Sequence, residues 1–224
     1  MRIGIIGSGV VGQTLGAKLA ERSHDVVLGT RNPANTGEKR GYGASLGEWV
    51  KATGNRAKVG TFADAAAHGE VVINASKGDA AVAALELAGR DHLAGKILID
   101  VGNPLDFSKG MPPTLTVCNT DSLGEQIQRV FPDVKVVKTL NTVNCDVMVD
   151  PGRVANGDHH LFVSGNDASA KQQVIAWLKD WFGWKEIIDL GDITTARGTE
   201  MVLPLWIRLM GALGTPFFNY KVVR

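Results

Sequence analysis

The chain has 224 residues, a formal net charge of +1, 44% hydrophobic residues and 21% charged residues. This composition is typical of a globular protein with a sizeable core, and the near-neutral charge argues against nucleic acid or an anionic membrane as a partner. No apolar run reaches the ~18 residues that span a bilayer. Cys118 and Cys145 form no CxxC pattern and no secretory signal opens the sequence, so we expect free thiols, a cytoplasmic location and no metal site.

The beginning of the chain carries a glycine-rich turn between a predicted strand and a predicted helix. Arg2–Ile6 is short and apolar, and a helical pattern runs from Gln13 to Arg22. The glycines between them permit a tight turn, close approach to a pyrophosphate and close packing of helix on strand, while the helix N-terminus attracts phosphate. The alternative is a turn that only connects two elements. We predict that a dinucleotide pyrophosphate binds here, on Gly7, Ser8, Gly9, Val10, Val11 and Gly12.

The second predicted strand ends where dinucleotide-binding proteins select NAD or NADP. A carboxylate about 20 residues after the glycines would bond the ribose 2′-hydroxyl of NAD, but Thr30, Arg31 and Asn32 stand at this position. An arginine binds a 2′-phosphate through charge-assisted hydrogen bonds, each contributing about 1.5–3 kcal/mol. We therefore predict NADP(H) as the cofactor; the alternative is a solvated turn arginine. Lys39 and Arg40, in the polar loop that follows, are further candidates for the same phosphate.

Two later predicted strands are followed by turns that we assign to the cofactor. The strands are Val71–Asn74 and Lys96–Val101. Ligands of open parallel sheets lie over the carboxyl ends of the strands, although a plain strand-to-helix turn needs no ligand. The residues that we expect to line the cofactor site, the first two near the nicotinamide, are Ala75, Ser76, Asn103 and Pro104.

A further predicted strand, Val134–Lys138, leads into a segment with two asparagines and two threonines. Amide and hydroxyl groups at a strand end suit the polar wall of a ligand site, but they also suit Asx turns that need no ligand. We predict that Asn141, Thr142 and Val143 contact the substrate.

The alternation of strands and helices predicts an α/β fold of the Rossmann type, with a doubly wound parallel sheet and a smaller C-terminal α/β part. Turn-forming residues near Asp150 mark the expected boundary between an NADP-binding domain, residues 1–150, and a substrate or dimerisation part, residues 151–224. In the second part, tryptophans at helical spacing indicate a core or subunit contact. We expect a last helix over Ala196–Met210, kinked at Pro204.

Four segments in this order carry a family resemblance: the glycine turn, Gly29–Pro33, Lys138–Thr142 and Asp189–Glu200. Together they resemble the NADP oxidoreductases that use the deazaflavin coenzyme F-420 (F420), and the cytoplasmic reductase domain of six-transmembrane metalloreductases is similar. The resemblance covers essentially the whole chain. It implies a Rossmann domain with a smaller part closing over it, a homodimer, and reversible hydride transfer between NADP(H) and F420 or a flavin-like acceptor as the small-molecule redox carrier.

The resemblance also implies roles for individual residues. Thr30 and Arg31 would hold the 2′-phosphate, and Ser8–Gly12 would hold the pyrophosphate. The Ala75 turn and the Asn141 segment would border the nicotinamide and the second coenzyme.

Two other functions stay open at this point. Hydride transfer between two ring carriers asks little of side chains, and we predict no catalytic residue for it. A reductase of a small carbonyl or imine would need a proton donor, for which Lys138, Tyr42 and Tyr220 are the candidates. A non-catalytic NADPH-binding redox sensor is the third possibility.

Overall fold

The structure, a computed structural model, describes residues 1–39 and 43–224. The strands are β1 (Arg2–Ile6), β2 (Asp25–Thr30), β3 (Ala57–Thr61), β4 (Val71–Asn74), β5 (Ile97–Asp100), β6 (Leu105–Asp106), β7 (Thr114–Leu115), β8 (Lys135–Thr139), β9 (His160–Ser164) and β10 (Glu186–Gly191). The α-helices are α1 (Val10–Glu21), α2 (Leu46–Thr53), α3 (Phe62–His68), α4 (Ala81–Ala88), α5 (Arg90–Leu93), α6 (Leu123–Val130), α7 (Cys145–Val149), α8 (Ala168–Phe182), α9 (Ala196–Met201) and α10 (Leu203–Leu213).

Eight strands form one sheet in the order β10-β9-β8-β5-β4-β1-β2-β3. All neighbours from β3 to β8 are parallel, β9 pairs antiparallel with β8, and β10 is parallel to β9. The chain passes from β3 at one edge to β4 on the other side of β1, and this change of direction opens a crevice beyond the strand ends. The predicted Rossmann-type α/β fold with a mostly parallel sheet is confirmed.

The strands beside this crevice are apolar because helices cover both faces of the sheet. Every residue of β4 and β5 is buried, as expected for central parallel strands. Helix α3 begins where Thr61 accepts a hydrogen bond from the Asp64 backbone N–H and Asp64 reciprocates, which satisfies two otherwise free donors. Strand and helix starts are thus set by local sequence, which holds the carboxyl ends of the strands in register around the crevice.

The sheet and its core continue beyond Asp150 into the C-terminal part. Trp181 and Trp184 are buried in the same apolar cluster as Ile3 and Ile5 of β1, so these two tryptophans belong to the core. The division into residues 1–150 and 151–224 stays a prediction.

Two smaller features of the connections refine the predicted elements. The last helix is divided at Val202 into α9 and α10, with Pro204 in the first turn of α10, as the predicted kink requires. Between β5 and α6, β6 and β7 form a short antiparallel pair in which Leu105 lies opposite Leu115 and Asp106 lies opposite Thr114. No helix among the described residues is both long and apolar enough to cross a bilayer.

Candidate functional site

Three glycines in the turn after β1 meet three different surroundings. Gly7 has a φ of +119°, and a Cβ added to it would lie 2.5 Å from the carbonyl oxygen of Ala75. A Cβ on Gly12 would lie 2.0 Å from the carbonyl oxygen of Gly7. A Cβ on Gly9 would meet no atom within 4 Å among the described residues. Gly7 and Gly12 are therefore required by the fold, whereas Gly9 leaves open space at the mouth of the turn.

The N-terminus of α1 offers free backbone donors to this open space. The first helical hydrogen bond runs from the Gln13 N–H to the Gly9 carbonyl, at 3.0 Å, so the N–H groups of Val10, Val11 and Gly12 precede the helical ladder. The N-cap residue, Gly9, has no side chain that could cap the helix. Free N–H groups and the positive end of the helix dipole form an anion site of the kind that binds a pyrophosphate.

A cleft of about 690 Å³ lies against this turn and reaches the end of β2. Its charged lining side chains are Arg31 and Lys77, and no carboxylate belongs to the described lining. Lys77 forms a salt bridge with Asp79 at 2.9 Å, whereas Arg31 has no ion-pair partner among the described residues. The predicted residues that line the cleft are Gly7, Ser8, Gly9, Val10, Thr30, Arg31, Ala75 and Ser76.

The end of β2 places the residues predicted for the 2′-phosphate. Thr30 is buried and Arg31 is exposed, and both line the cleft. Asn32 does not line it; the Asn32 side-chain oxygen accepts a hydrogen bond from the Ala34 N–H, which forms an Asx turn. Arg40, the second loop candidate for the phosphate, lies outside the described residues.

One wall of the cleft consists of apolar residues that our interpretation of the sequence missed. They lie on helices rather than at strand ends, and no local motif distinguishes them from core residues. Leu87 is 63% exposed on α4, but this exposure exists only once the helix is packed, so the sequence carried no signal for it. Such a surface suits the flat face of an adenine ring. The missed residues are Phe62, Ala80, Ala83, Ala84 and Leu87.

Asn103, predicted for the cofactor, and Asn141, predicted for the substrate, bond to each other. The Asn103 amide N–H donates to the Asn141 carbonyl at 2.8 Å, and the Asn141 amide N–H donates to the Asn103 side-chain oxygen at 3.0 Å. Asn141 also donates to the carbonyl oxygen of Thr199 on α9, at 3.1 Å. The two asparagines therefore join the ends of β5 and β8 to α9, and both amide N–H groups of Asn141 are used inside the protein.

The rest of the predicted substrate segment is also enclosed. Val143 packs in the apolar core, and the Thr142 hydroxyl is buried with no hydrogen-bond partner among the described residues. Thr142 borders a second cavity of about 320 Å³, which is otherwise mainly apolar. Leu140, directly before the segment, has a φ of +61°, a conformation that a bulky side chain adopts only when its surroundings impose it. Pro104 accepts a hydrogen bond from the Thr116 N–H at 2.8 Å and does not line the cleft.

Lys138 is fully enclosed and cannot serve as a proton donor to a ligand in the cleft. Its ammonium group contacts Asp100 at 2.7 Å, Glu200 at 2.8 Å and the Gly102 carbonyl at 2.6 Å, and its side chain is 1% exposed. Burial by itself lowers the pKa of Lys138, but the charges of Asp100 and Glu200 outweigh that cost and raise the pKa above its ordinary value. Lys138 therefore stays charged and locked in place.

The two tyrosines considered as proton donors are not placed in the cleft. Tyr220 borders the second cavity, its hydroxyl has no partner among the described residues, and burial raises its pKa. Tyr42 lies outside the described residues. Among the residues that are described, no group of His, Cys, Asp and Glu side chains has the arrangement of a metal site.

Comparisons with known proteins place this chain among NADP-dependent oxidoreductases. The family model "NADP oxidoreductase coenzyme F420-dependent" matches residues 2–104. The F420-dependent NADP reductase of Methanocaldococcus jannaschii is 30% identical over 213 residues, which cover 93% of this chain and 92% of that protein. A 1.70 Å crystal structure from Arthrobacter sp. FB24, described as a candidate F420-dependent NADP-reductase, has 55% identity and a TM-score of 0.94 over 100% of both chains.

A relative with a different overall organisation is the metalloreductase STEAP3 of Rattus norvegicus. It is 28% identical over 230 residues, and the match covers 100% of this chain. The chain spans 42% of the length of that metalloreductase.

Proposed function

The chain belongs to the family of F420-dependent NADP reductases, and from this premise we propose that it transfers hydride between NADP(H) and the ring of F420 or a flavin-like acceptor. It is an NADP-dependent oxidoreductase. The acceptor and the residues that hold each ring are parts of the proposal.

The observation that carries the NADP part of the proposal is the charge of the cleft at the end of β2. Arg31 and Thr30 occupy the place where a carboxylate would select NAD, and no carboxylate belongs to the described lining. An anionic 2′-phosphate would gain a guanidinium and a hydroxyl there without meeting a negative charge. The pyrophosphate would accept the free N–H groups at the start of α1.

The acceptor part of the proposal is supported by the cleft lining, where the described residues place no candidate proton donor from the sequence analysis. Lys138 is locked by three buried partners, and the titratable side chains of the described cleft lining are Arg31 and the salt-bridged Lys77. Bound NADP(H) and F420 would themselves supply the hydride chemistry, and solvent would supply or take up the accompanying proton. The residues of this chain would position the two rings and exclude water from the gap between them.

A panel of acceptors tests the proposal. Purified protein with NADPH is mixed separately with F420, FMN, FAD, a cyclic imine and a ferric chelate, and oxidation of NADPH is followed by absorbance. We expect turnover with F420, or with a flavin at a lower rate. Turnover with the imine alone would contradict the proposed acceptor, and tight NADPH binding without turnover on any acceptor would favour a redox sensor.

Removal of the Arg31 guanidinium tests the NADP part separately. Arg31→Ala should weaken NADPH binding about 10- to 100-fold, because a charge-assisted hydrogen bond contributes about 1.5–3 kcal/mol, and NADH binding should barely change. Arg56→Ala is a matched control, since Arg56 is exposed and bonds the Ser23 carbonyl away from the cleft. Equal losses for NADPH and NADH, measured by calorimetry, would contradict the assignment of Arg31.

The homodimer and the cytoplasmic location are also proposals. One residue of α10, Leu203, is buried, while Leu205 and Leu213 are 52% and 56% exposed, so a second copy of the chain would cover an apolar helix. Free cysteines and NADPH chemistry both suit a reducing compartment. Light scattering of Leu205→Glu should give a monomer, and Met111→Glu, at an exposed loop residue, should not change the mass. A wild-type monomer would overturn the dimer.

A further inference from the structure

A continuous set of hydrogen bonds and ion pairs, buried except at Ser76, joins the cofactor cleft to α9. The Ser76 hydroxyl, at the cleft, donates to the Asn74 side-chain oxygen at 2.6 Å, and the Asn74 amide donates to Asp100 at 2.8 Å. The Lys138 ammonium donates to the other oxygen of Asp100 at 2.7 Å and contacts Glu200 on α9 at 2.8 Å. We call these five side chains the buried relay. It crosses the ends of β4, β5 and β8 beneath the proposed hydride-transfer gap.

The α9 end of the buried relay is anchored from two sides. Glu200 accepts hydrogen bonds from the backbone N–H groups of Leu123 and Gly124, at 2.8 and 3.1 Å. Both N–H groups lie in the first turn of α6, where the helix itself offers them no acceptor. The residue before it, Thr199, accepts the hydrogen bond from Asn141. The position of Glu200 therefore determines where α9 holds the Asn141 segment.

Stability alone is a weak reason for this arrangement. Asp100, Lys138 and Glu200 are each at most 1% exposed, so all three charges lose their hydration. Apolar residues of similar volume often serve as well or better at such sites, because the attraction between buried charges roughly offsets the cost of removing them from water. What the charges add is geometry, since the three protons of the ammonium group have three fixed acceptors, including the Gly102 carbonyl.

We propose that Lys138 is a positioning residue that sets the separation of the two walls of the hydride-transfer gap. Through Asp100 and Asn74 it holds the Ser76 turn, which would contact the nicotinamide. Through Glu200 it holds α9 and the Asn141 segment, which would contact the acceptor ring. The inference about the second wall rests on the proposed function, whereas the inference about the first wall requires NADP binding only.

The nicotinamide wall can be tested without any acceptor. Asp100→Asn keeps the shape of the side chain and makes the buried set neutral, but it breaks the link from Lys138 to Asn74. We expect its affinity for NADP⁺ to fall about tenfold, while its affinity for adenosine 2′,5′-bisphosphate, which lacks the nicotinamide, stays within about twofold of wild type. Calorimetric titration of each ligand gives the ratio.

Lys171 provides a matched control for the loss of a buried lysine pair. Its ammonium donates to Asp189 at 2.8 Å and to the Gly191 carbonyl at 2.7 Å, and it has no bond to the buried relay. Lys171→Met should lower the unfolding temperature and leave the ratio of the two affinities unchanged. If Lys171→Met changes the ratio as Asp100→Asn does, the effect is general loosening and the proposal is wrong.

The acceptor wall is tested with Glu200→Gln, which also neutralises the set. We expect the affinity of this variant for NADP⁺ to stay within about twofold of wild type. Single-turnover hydride transfer to F420 should slow about tenfold. Its deuterium isotope effect should depend more strongly on temperature than that of wild type, because the gap widens. An unchanged rate in a folded variant would overturn this half. A wild-type protein that does not reduce F420 would contradict the proposed function, and the affinity ratio of Asp100→Asn would still decide the first wall.

Ser76→Ala keeps the test decisive if a buried charge variant does not fold. It removes the end of the relay nearest the cleft and leaves every buried charge in place. Ser76→Ala should lower the affinity for NADP⁺ but not that for adenosine 2′,5′-bisphosphate. Equal effects on both ligands would contradict the role of the Ser76 turn.

Discussion

The glycine turn after β1 and the Asn141 segment after β8 lie at the same edge of one sheet. In the turn, the backbone donors of α1 are free and Gly9 leaves open space. In the segment, Asn141 uses its donors on Asn103 and Thr199, and Val143 is part of the core. The first region is open to a ligand through its backbone, whereas the second is a wall whose shape is set by bonds within the protein. Substitutions at residues that face the open space of the turn should therefore affect binding, whereas substitutions in the segment should affect stability or geometry.

Gly7→Ala should have the largest effect and should separate folding from binding inside the turn itself. The new Cβ would lie 2.5 Å from the Ala75 carbonyl at a φ of +119°, so β1 and β4 would have to move apart. We expect a loss of about 3 kcal/mol or more in the free energy of unfolding. Urea denaturation measures this loss, and a variant as stable as wild type would show that the ends of β1 and β4 are not packed as described.

Gly9→Ala should affect binding and leave stability unchanged. Its Cβ would meet no described protein atom within 4 Å but would occupy the space proposed for the pyrophosphate. We expect NADPH affinity to fall about 100-fold, which corresponds to about 2.7 kcal/mol, with the free energy of unfolding within about 0.5 kcal/mol of wild type. Unchanged NADPH affinity would place the pyrophosphate elsewhere.

Asn141→Ala should show the opposite pattern. Its removal leaves Asn103 and the Thr199 carbonyl without a donor, so we expect a loss of about 1–3 kcal/mol in the free energy of unfolding. NADPH affinity, measured on the folded variant, should change by less than about threefold, because Asn141 bonds to protein groups rather than to the cleft. A large loss of NADPH affinity with wild-type stability would make Asn141 a direct ligand residue.

The smallest predicted effect is on the free energy of unfolding at acid pH. It should depend on the region around α6 rather than on the glycine turn. The hydrogen bonds from Arg129 lower the pKa of Asp121 to about 2 from 3.8. Because the folded pKa lies below the unfolded one, this contribution is present above about pH 4 and is lost as the pH falls towards 2. Allowing for solvent screening of the exposed Arg129, we expect a contribution of about 1 kcal/mol.

The difference in unfolding free energy between wild type and Asp121→Asn measures this contribution. It should shrink between pH 4 and pH 2.5, since protonated Asp121 no longer attracts Arg129. A difference that stays constant over this range would show that the carboxylate is not stabilised in the folded protein.

The two regions also differ in what the sequence could predict. The strand, turn and helix around Gly7 follow from local patterns, because each glycine has a backbone reason that acts over a few residues. The prediction of NADP as the cofactor rested on Arg31 and its distance from the turn. The Rossmann-type sheet follows from the alternation of apolar strands and helices.

The relay and the apolar wall of the cleft were not predictable in the same way. Asp100, Lys138 and Glu200 are far apart in the sequence, and no local pattern distinguishes them from other charged residues of strands and helices. Only the fold brings them into contact. Lys138 was considered as a proton donor because a strand end was its only visible property; burial and three partners exclude that role. Phe62 and Leu87 likewise gain their place in the cleft from helix packing.

The transfer of deuterium from NADPH to F420 tests the central claim most directly. NADPH labelled with deuterium at nicotinamide C4, separately in each of the two positions, is mixed with the protein and F420, and the product is analysed by mass spectrometry and NMR. The account predicts that deuterium from one position appears at deazaflavin C5 and that none is lost to solvent. Unlabelled reduced F420 from both labelled forms of NADPH, deuterium in the solvent, or no reduction of F420 at all would contradict direct hydride transfer between the two carriers.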